Sequence, residues 1–210
     1  MATPTRKKAA GYHGVENMAF APKKDGAYDT TLMKLKYAQS INPSALLDSA
    51  EQYADDRLVI RLPNDKGYDG EIGTTAQDPE LDKAAGFAFE GEGGLITTNA
   101  VRYLRGALYY EYRETDEDGV DSMVKVWMLN TEIGKGAATH TTDKSSLEFG
   151  SYTYPIHVYG DPLMDSTGSA EYRDDRGLPR TAYMVCARPE DEGYADFGKT
   201  VPTPKVAAAT

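Results

Sequence analysis

The sequence predicts a mainly β protein with a minor α component: an antiparallel β-sandwich or barrel with one short flanking helix, a long polar loop and extended terminal arms. Three observations carry this. Apolar and polar residues alternate in one run after another, the period of a strand with one buried face. Segments rich in Gly and Asp separate the runs, as turns separate antiparallel strands. Fifteen tyrosines against five phenylalanines favour strands and wet interfaces, because tyrosine packs on its ring and hydrogen-bonds at its tip.

The elements follow in order. Residues 1–14 hold Arg6, Lys7 and Lys8 without an acidic side chain, a basic arm that cannot bury enough surface to fold alone. MKLKY, Met33 to Tyr37, alternates cleanly, and in LVIRL the residues Leu58, Ile60 and Leu62 share one face. NDKGYDGEIGTTAQ, Asn64 to Gln77, reads as a polar loop, and loops beyond ~12 residues tend to be functional or disordered. Asp78, Pro79 and Glu80 supply an N-cap, a first-turn proline and a first-turn acid. Leu81, Ala84 and Ala85 then share a helix face, and Gly86 can end it. RYLRGALYYEYR, Arg102 to Arg113, sets Leu104, Leu108, Tyr110 and Tyr112 against Arg105, Glu111 and Arg113. With MVKVWML, Met123 to Leu129, it forms a hairpin whose polar tip is Glu114 to Asp121. Further strands are expected at Ser146–Glu148, Tyr152–Tyr159 and Thr181–Ala187. The segment 198–210, with Lys199, Lys205, two prolines and an alanine run, reads as a second arm, so residues 15–197 form the β domain.

The net charge of −10 is unevenly placed: both arms are purely basic, and the body carries 18 basic against 33 acidic side chains. A body this acidic argues against grip on nucleic acid, whose phosphates need Lys and Arg to neutralise them, and is compatible with a surface that DNA passes without sticking. Cys186 is the sole cysteine, which rules out an internal disulfide and points to a reducing, intracellular origin; its apolar surroundings read as those of an inert buried thiol. No apolar run approaches the roughly 20 residues of a membrane helix.

Candidate chemistry finds little support. Asp116 to Asp121 resembles part of a calcium loop, but Gly119 comes too early and no closing Glu stands at the required spacing. Gly91 to Gly94 lacks the Lys-Ser/Thr of a phosphate loop. His13, His140 and His157 form no ligand spacing, and His157 faces away from Ile156 and Val158. Asp174 and Asp175 have flanking arginines to pair with. Asp55 and Asp56 are adjacent carboxylates before a strand; an extended chain would send them to opposite sides, which a turn would not.

The order of these elements resembles the major tail proteins of long-tailed bacteriophages, of the phi-13 type. The segments that carry it are VENMAFAP (15–22), MKLKYAQSINP (33–43), AEQYADDRLV (50–59), the DPEL helix start, RYLRGALYYEY (102–112) and FGSYTYPIHVYG (149–160). The resemblance implies a non-enzymatic virion protein without cofactors or metal. It would assemble with itself into stacked hexameric rings, in the bacterial host cytoplasm, as the tube through which genomic DNA leaves the capsid. Its further partners would be the tape measure protein, the tail terminator and distal tail proteins. Subunit contacts are expected at Tyr53, Asp55, Asp56 and Arg57. Inter-ring contacts are expected from the loop residues Asp65, Lys66, Tyr68, Asp69 and Glu71, and from Arg6, Lys7, Lys8, Lys199 and Lys205. Three alternatives stand beside it: the tube of a contractile tail or secretion apparatus, a metal-dependent enzyme using Asp55 and Asp56, and a ligand-binding sandwich favoured by the tyrosine excess.

Overall fold

Three stretches, Met18–Ala21, Gly106–Tyr110 and Val126–Leu129, are buried at every residue rather than at alternate ones. A strand of that kind needs cover on both faces. The computed structural model describes residues 8–54, 57–140 and 150–207. The first strands are β1 (Ala9–Lys24), β2 (Ala27–Tyr28), β3 (Met33–Lys34), β4 (Ala38–Ala54) and β5 (Arg57–Thr74). The helix α1 (Pro79–Ala85) and the small hairpin β6 (Ala88–Gly91) and β7 (Gly94–Thr97) come next. They are followed by β8 (Leu104–Asp116), β9 (Asp121–Ile133), β10 (Ala137–Thr139) and β11 (Ser151–Val158). Last are β12 (Asp161–Pro162), β13 (Thr181–Ala182), β14 (Met184–Ala187) and a 3-10 turn at Tyr194–Asp196.

The main sheet is antiparallel and runs β2-β1-β8-β9-β11-β5-β4, with β3 added to β1, β10 to β11 and β14 to β9. It is open at both ends and not closed into a barrel. The architecture is therefore mainly antiparallel β with a single short α-helix among the described residues.

β9 is the branch point. Its outer edge pairs with β14 over Lys125–Met128 and with β11 over Thr131–Ile133. Between them Asn130 takes φ +47, a left-handed conformation that asparagine tolerates better than most residues. Its backbone N–H donates to Tyr28 Oη at 2.9 Å and its amide to the Gly160 carbonyl at 3.0 Å. Tyr28 in turn donates to Asp161, which pairs with Lys23 at 2.9 Å. Burial, and then the bond to Asp161, push the Tyr28 hydroxyl well above its usual pKa, so it remains a donor.

Two cores result. The larger joins Met18, Phe20, Leu108, Tyr110, Val124, Met128, Ile72, Tyr154, Ile156 and Leu81, and so ties α1 to the sheet. The smaller lies on the other face of β1, β8 and β9, where Ala19, Ala107, Tyr109, Trp127 and Leu129 are covered by Val185, Phe197 and Val201. Trp127 Nε1 donates to the Phe197 carbonyl at 2.8 Å, and Arg188 holds Glu114 at 3.0 Å.

The expected hairpin of residues 102–129 forms as β8 and β9, with Asp116 Oδ1 accepting from Asp118 and Val120 at its tip. Leu104, Leu108, Tyr110 and Tyr112 all meet the larger core. The opposite face is not wholly polar, because the C-terminal segment buries Tyr109 beside Arg105, Glu111 and Arg113. The helix has its Asp78 cap and its Gly86 stop at φ +73, but Asp82 is buried where Ala84 was expected. Gly91 to Gly94 form the turn between β6 and β7. Met33–Tyr37 yields only the short β3, and 181–187 is broken at Tyr183. Cys186 is exposed, because β14 turns Val185 instead onto the Trp127 core. The strand expected at Ser146–Glu148 lies outside the described residues.

Two outcomes follow. Asn130→Val forces a β-branched residue into the left-handed region and costs about 1–3 kcal/mol in urea unfolding, whereas Asn130→Gly keeps the backbone and costs about 1 kcal/mol. Asp82 accepts from the Gln77 amide at 2.5 Å, and burial raises its pKa. The folded state therefore holds the Asp82 proton more tightly than the unfolded chain, and stability falls as pH rises above the ordinary carboxylate pKa. Asp82→Asn raises the urea midpoint at pH 7, and the gain disappears below the ordinary carboxylate range.

Candidate functional site

The segment expected as a loop, Asn64–Gln77, is strand as far as Thr74. Its polar composition hides this because Ile72 alone of the segment's aliphatic side chains enters the larger core, while pairing on both edges sets Tyr68–Thr74 between β11 and β4. Glycines allow the close approach, since a side chain at Gly70 would meet the Asn42 carbonyl oxygen at 2.3 Å. Beyond Tyr68 the two strands leave the body. Leu47–Ala54 and Arg57–Asp65 pair only with each other among the described residues, a ribbon of roughly 25 Å at strand rise.

The LVIRL strand is thus not in the body: the Leu58, Ile60 and Leu62 backbones pair with Tyr53, Gln52 and Ala50. Leu47 and Tyr53 are 69% and 61% exposed on one face of the ribbon. On the same face Arg61 pairs with Glu51 at 3.3 Å, and the Tyr53 hydroxyl donates to Glu51 at 2.7 Å, which raises its pKa. Lys66 holds Asp48 at 3.0 Å and lowers the pKa of that carboxyl. A two-stranded ribbon of this kind is marginally stable alone, and surface ion pairs add little.

At the root of the ribbon the sheet presents a polar face in two rows. The register sets Arg105, Glu132, His157, Asp69 and Ser44 side by side across β8, β9, β11, β5 and β4. Arg105 pairs with Glu132, and the His157 ring lies against the Asp69 carboxylate. The next row is Tyr103, Gly134, Pro155, Glu71 and Asn42. Gly134 and Pro155 form a low floor there: a side chain at Gly134 would stand 2.9 Å from Pro155 Cγ and 3.3 Å from the Tyr103 ring. An open groove of about 640 Å³ results, bordered by Tyr103, Glu132, His157, Tyr159 and Glu71. The Tyr159 hydroxyl donates to Glu132 at 3.1 Å, and burial with that bond raises its pKa.

The expected contact residues fall in several places. Tyr53, Arg57 and Asp65 are on the ribbon, and Lys66 is where it leaves the body. Tyr68 packs edge-on against Tyr183 at 5.6 Å, and Asp69 and Glu71 face the groove. Asp55, Asp56, Arg6 and Lys7 lie outside the described residues. Lys8 sits beside the tip residues Asp116, Glu117 and Asp118. The arms are shorter than expected. Residues 9–14 belong to β1 through pairing with β8, and Val201, Pro204 and Lys205 are packed down, Lys205 bridging to Met164. Lys199 pairs with Asp196 at 2.5 Å. The groove residues Tyr103, Glu132, His157 and Tyr159 carry no local motif, and only the strand order brings them together. Among the described residues no group of three or more His, Cys, Asp or Glu is placed to hold a metal ion, and no helix is long and apolar enough to cross a membrane.

No family model and no curated protein matches the chain. Among solved structures it matches a chain of the anti-feeding prophage baseplate, determined by cryo-EM with six-fold symmetrisation. The match has 8% identity and a TM-score of 0.37, and covers 75% of this chain and 93% of that one.

Hydrogen exchange checks the ribbon. In dilute protein the backbone amides of Leu47–Gln52 exchange orders of magnitude faster than those of Val126–Leu129, and concentrating the protein slows the former selectively.

Proposed function

We propose that the chain is a non-enzymatic tail tube subunit that assembles with itself into stacked rings, of a virion tail built for DNA passage. The observation that carries this reading is the ribbon. Among the described residues, a strand with the apolar sequence LVIRL has its backbone paired to β4 alone, on an element that extends from a body with two cores of its own. Long, unpaired strand edges are an aggregation hazard unless something covers them, and a second copy of the chain is always at hand to do so. The ordered motifs between residues 15 and 160 support the tail tube class in particular. The acidic body supports a wall that phosphates do not bind. Tape measure, terminator and distal tail proteins are the partners that such a tube requires.

Negative-stain imaging of the concentrated protein tests the reading. Hollow filaments of uniform width are expected, and Leu47→Asp shortens or abolishes them without altering the thermal melt of the dilute protein. A wild-type chain that sediments as a monomer at every concentration, with Leu47→Asp indistinguishable from it, overturns the proposal.

A further inference from the structure

We propose that residues 161–207 are a cover that opens as one cooperative unit, and that when closed it keeps the Trp127 face and the outer edge of β9 from a second copy. The inference goes beyond the tube reading and does not depend on it. The segments that carry the tail-protein resemblance end at Gly160, and the unit begins at the next residue. It is tied to itself along its length. β12 pairs with β13, the Leu163 amide donates to the Arg180 carbonyl at 2.9 Å, and the Tyr172 amide donates to the Leu163 carbonyl at 2.8 Å. Met164 joins the two ends: its amide donates to the Pro204 carbonyl at 2.9 Å, and its carbonyl accepts from the Val206 amide at 3.1 Å. A segment closed on itself in this way lifts as a whole and does not peel from its C-terminal end.

Its seat on the body is one-sided. Ala182, Val185, Phe197 and Val201 cover the smaller core, whereas among the described residues only Tyr183 and Met184 of the unit pack against the larger one, partly buried at its margin. The larger core therefore survives when the seat opens. Beside the β14 ladder, the seat is held by Trp127 on Phe197, by Lys125 Nζ donating to the Tyr194 carbonyl at 2.9 Å, and by the Tyr194 hydroxyl donating to the Met123 carbonyl at 2.8 Å. Arg188 is the latch, because the Glu114 carboxylate that it holds is buried. Buried without Arg188 the carboxylate would lack its counter-charge, so half-lifted positions are disfavoured and the unit is either shut or open. Beneath it Ala19, Ala107, Tyr109, Trp127 and Leu129 form one apolar face on the neighbouring strands β1, β8 and β9. Opening also removes the partner of β9 over Lys125–Met128. An apolar face bordered by an unpaired strand edge is a surface that a second copy covers readily, and the closed unit blocks both parts of it.

Native-state hydrogen exchange in low urea tests the unit, on the full chain carrying Leu47→Asp so that association through the ribbon does not interfere. The amides of Leu163, Met164, Tyr172 and Val206 are expected to exchange as one group with one urea slope, about tenfold or more faster than those of Ile72 and Ile156. Ile72→Val speeds the Ile156 amide and leaves the group unchanged. Glu114→Gln speeds the group about tenfold, makes Trp127, the sole tryptophan, accessible to acrylamide quenching, and produces dimers and larger species in sedimentation where the parent is a monomer. Val185→Asp, which charges the seat directly, acts in the same way, and retained protection of Ile156 confirms that the body of each variant is folded. A single slope shared by the group and Ile156, or equal acceleration of both by Ile72→Val, overturns the separate unit. Faster exchange of the group in Glu114→Gln and Val185→Asp chains that stay monomeric overturns the blocking role. Because the ribbon is disabled throughout, neither result bears on the filaments by which the tube is judged.

Discussion

The change of partner along β9 at Asn130 is the constraint from which the rest of the architecture follows. One strand cannot pair with β14 and β11 along the same edge unless its backbone turns between them, and the left-handed residue supplies that turn. Toward Asp121 the strand belongs to a three-layered region, with the C-terminal segment over Trp127 and the larger core behind. Toward Ile133 it joins β11 and β5 in a sheet with one wet face. Tyr28, Asp161 and Lys23 hold the junction from β2, β12 and β1, so elements distant in sequence fix one backbone angle.

The wet half of the sheet carries the open groove. Its floor is shaped by residues that lack side-chain bulk, and Arg105 and Glu132 pair in register beside it. The ribbon continues from this face. Among the described residues its strands pair only with each other, whereas the body has two buried cores.

Much of this was legible in the sequence, for identifiable reasons. The helix is announced by Asp78-Pro79-Glu80 because capping is local chemistry, and the β8–β9 hairpin by two alternating runs around a polar tip. The second core was not legible: Ala107 and Tyr109 look like the polar side of an alternating strand until residues some 80 positions later fold over them. Asn64–Thr74 looked like loop because strands are usually marked by apolar residues, and this one is held between two others by backbone pairing. The groove depends on strand order, which alternation does not encode. Asp55 and Asp56, the adjacent carboxylates before the LVIRL strand, lie outside the described residues, between Ala54 and Arg57 in the sequence.

The position of β1 has a kinetic meaning. Ala9 pairs with Asp116 and Pro22 with Gly106, so β1 waits during synthesis for more than eighty further residues before its partner exists. Contacts so distant in sequence slow folding, and strands left waiting are open to the wrong neighbour. The β4–β5 hairpin, in contrast, can form as soon as it is made, because its pairing is local. The ribbon is thus available early, before the body that will carry it has closed. During synthesis the long edges of the ribbon therefore stand open while the body is incomplete, which favours low local concentration and rapid completion of β8 and β9.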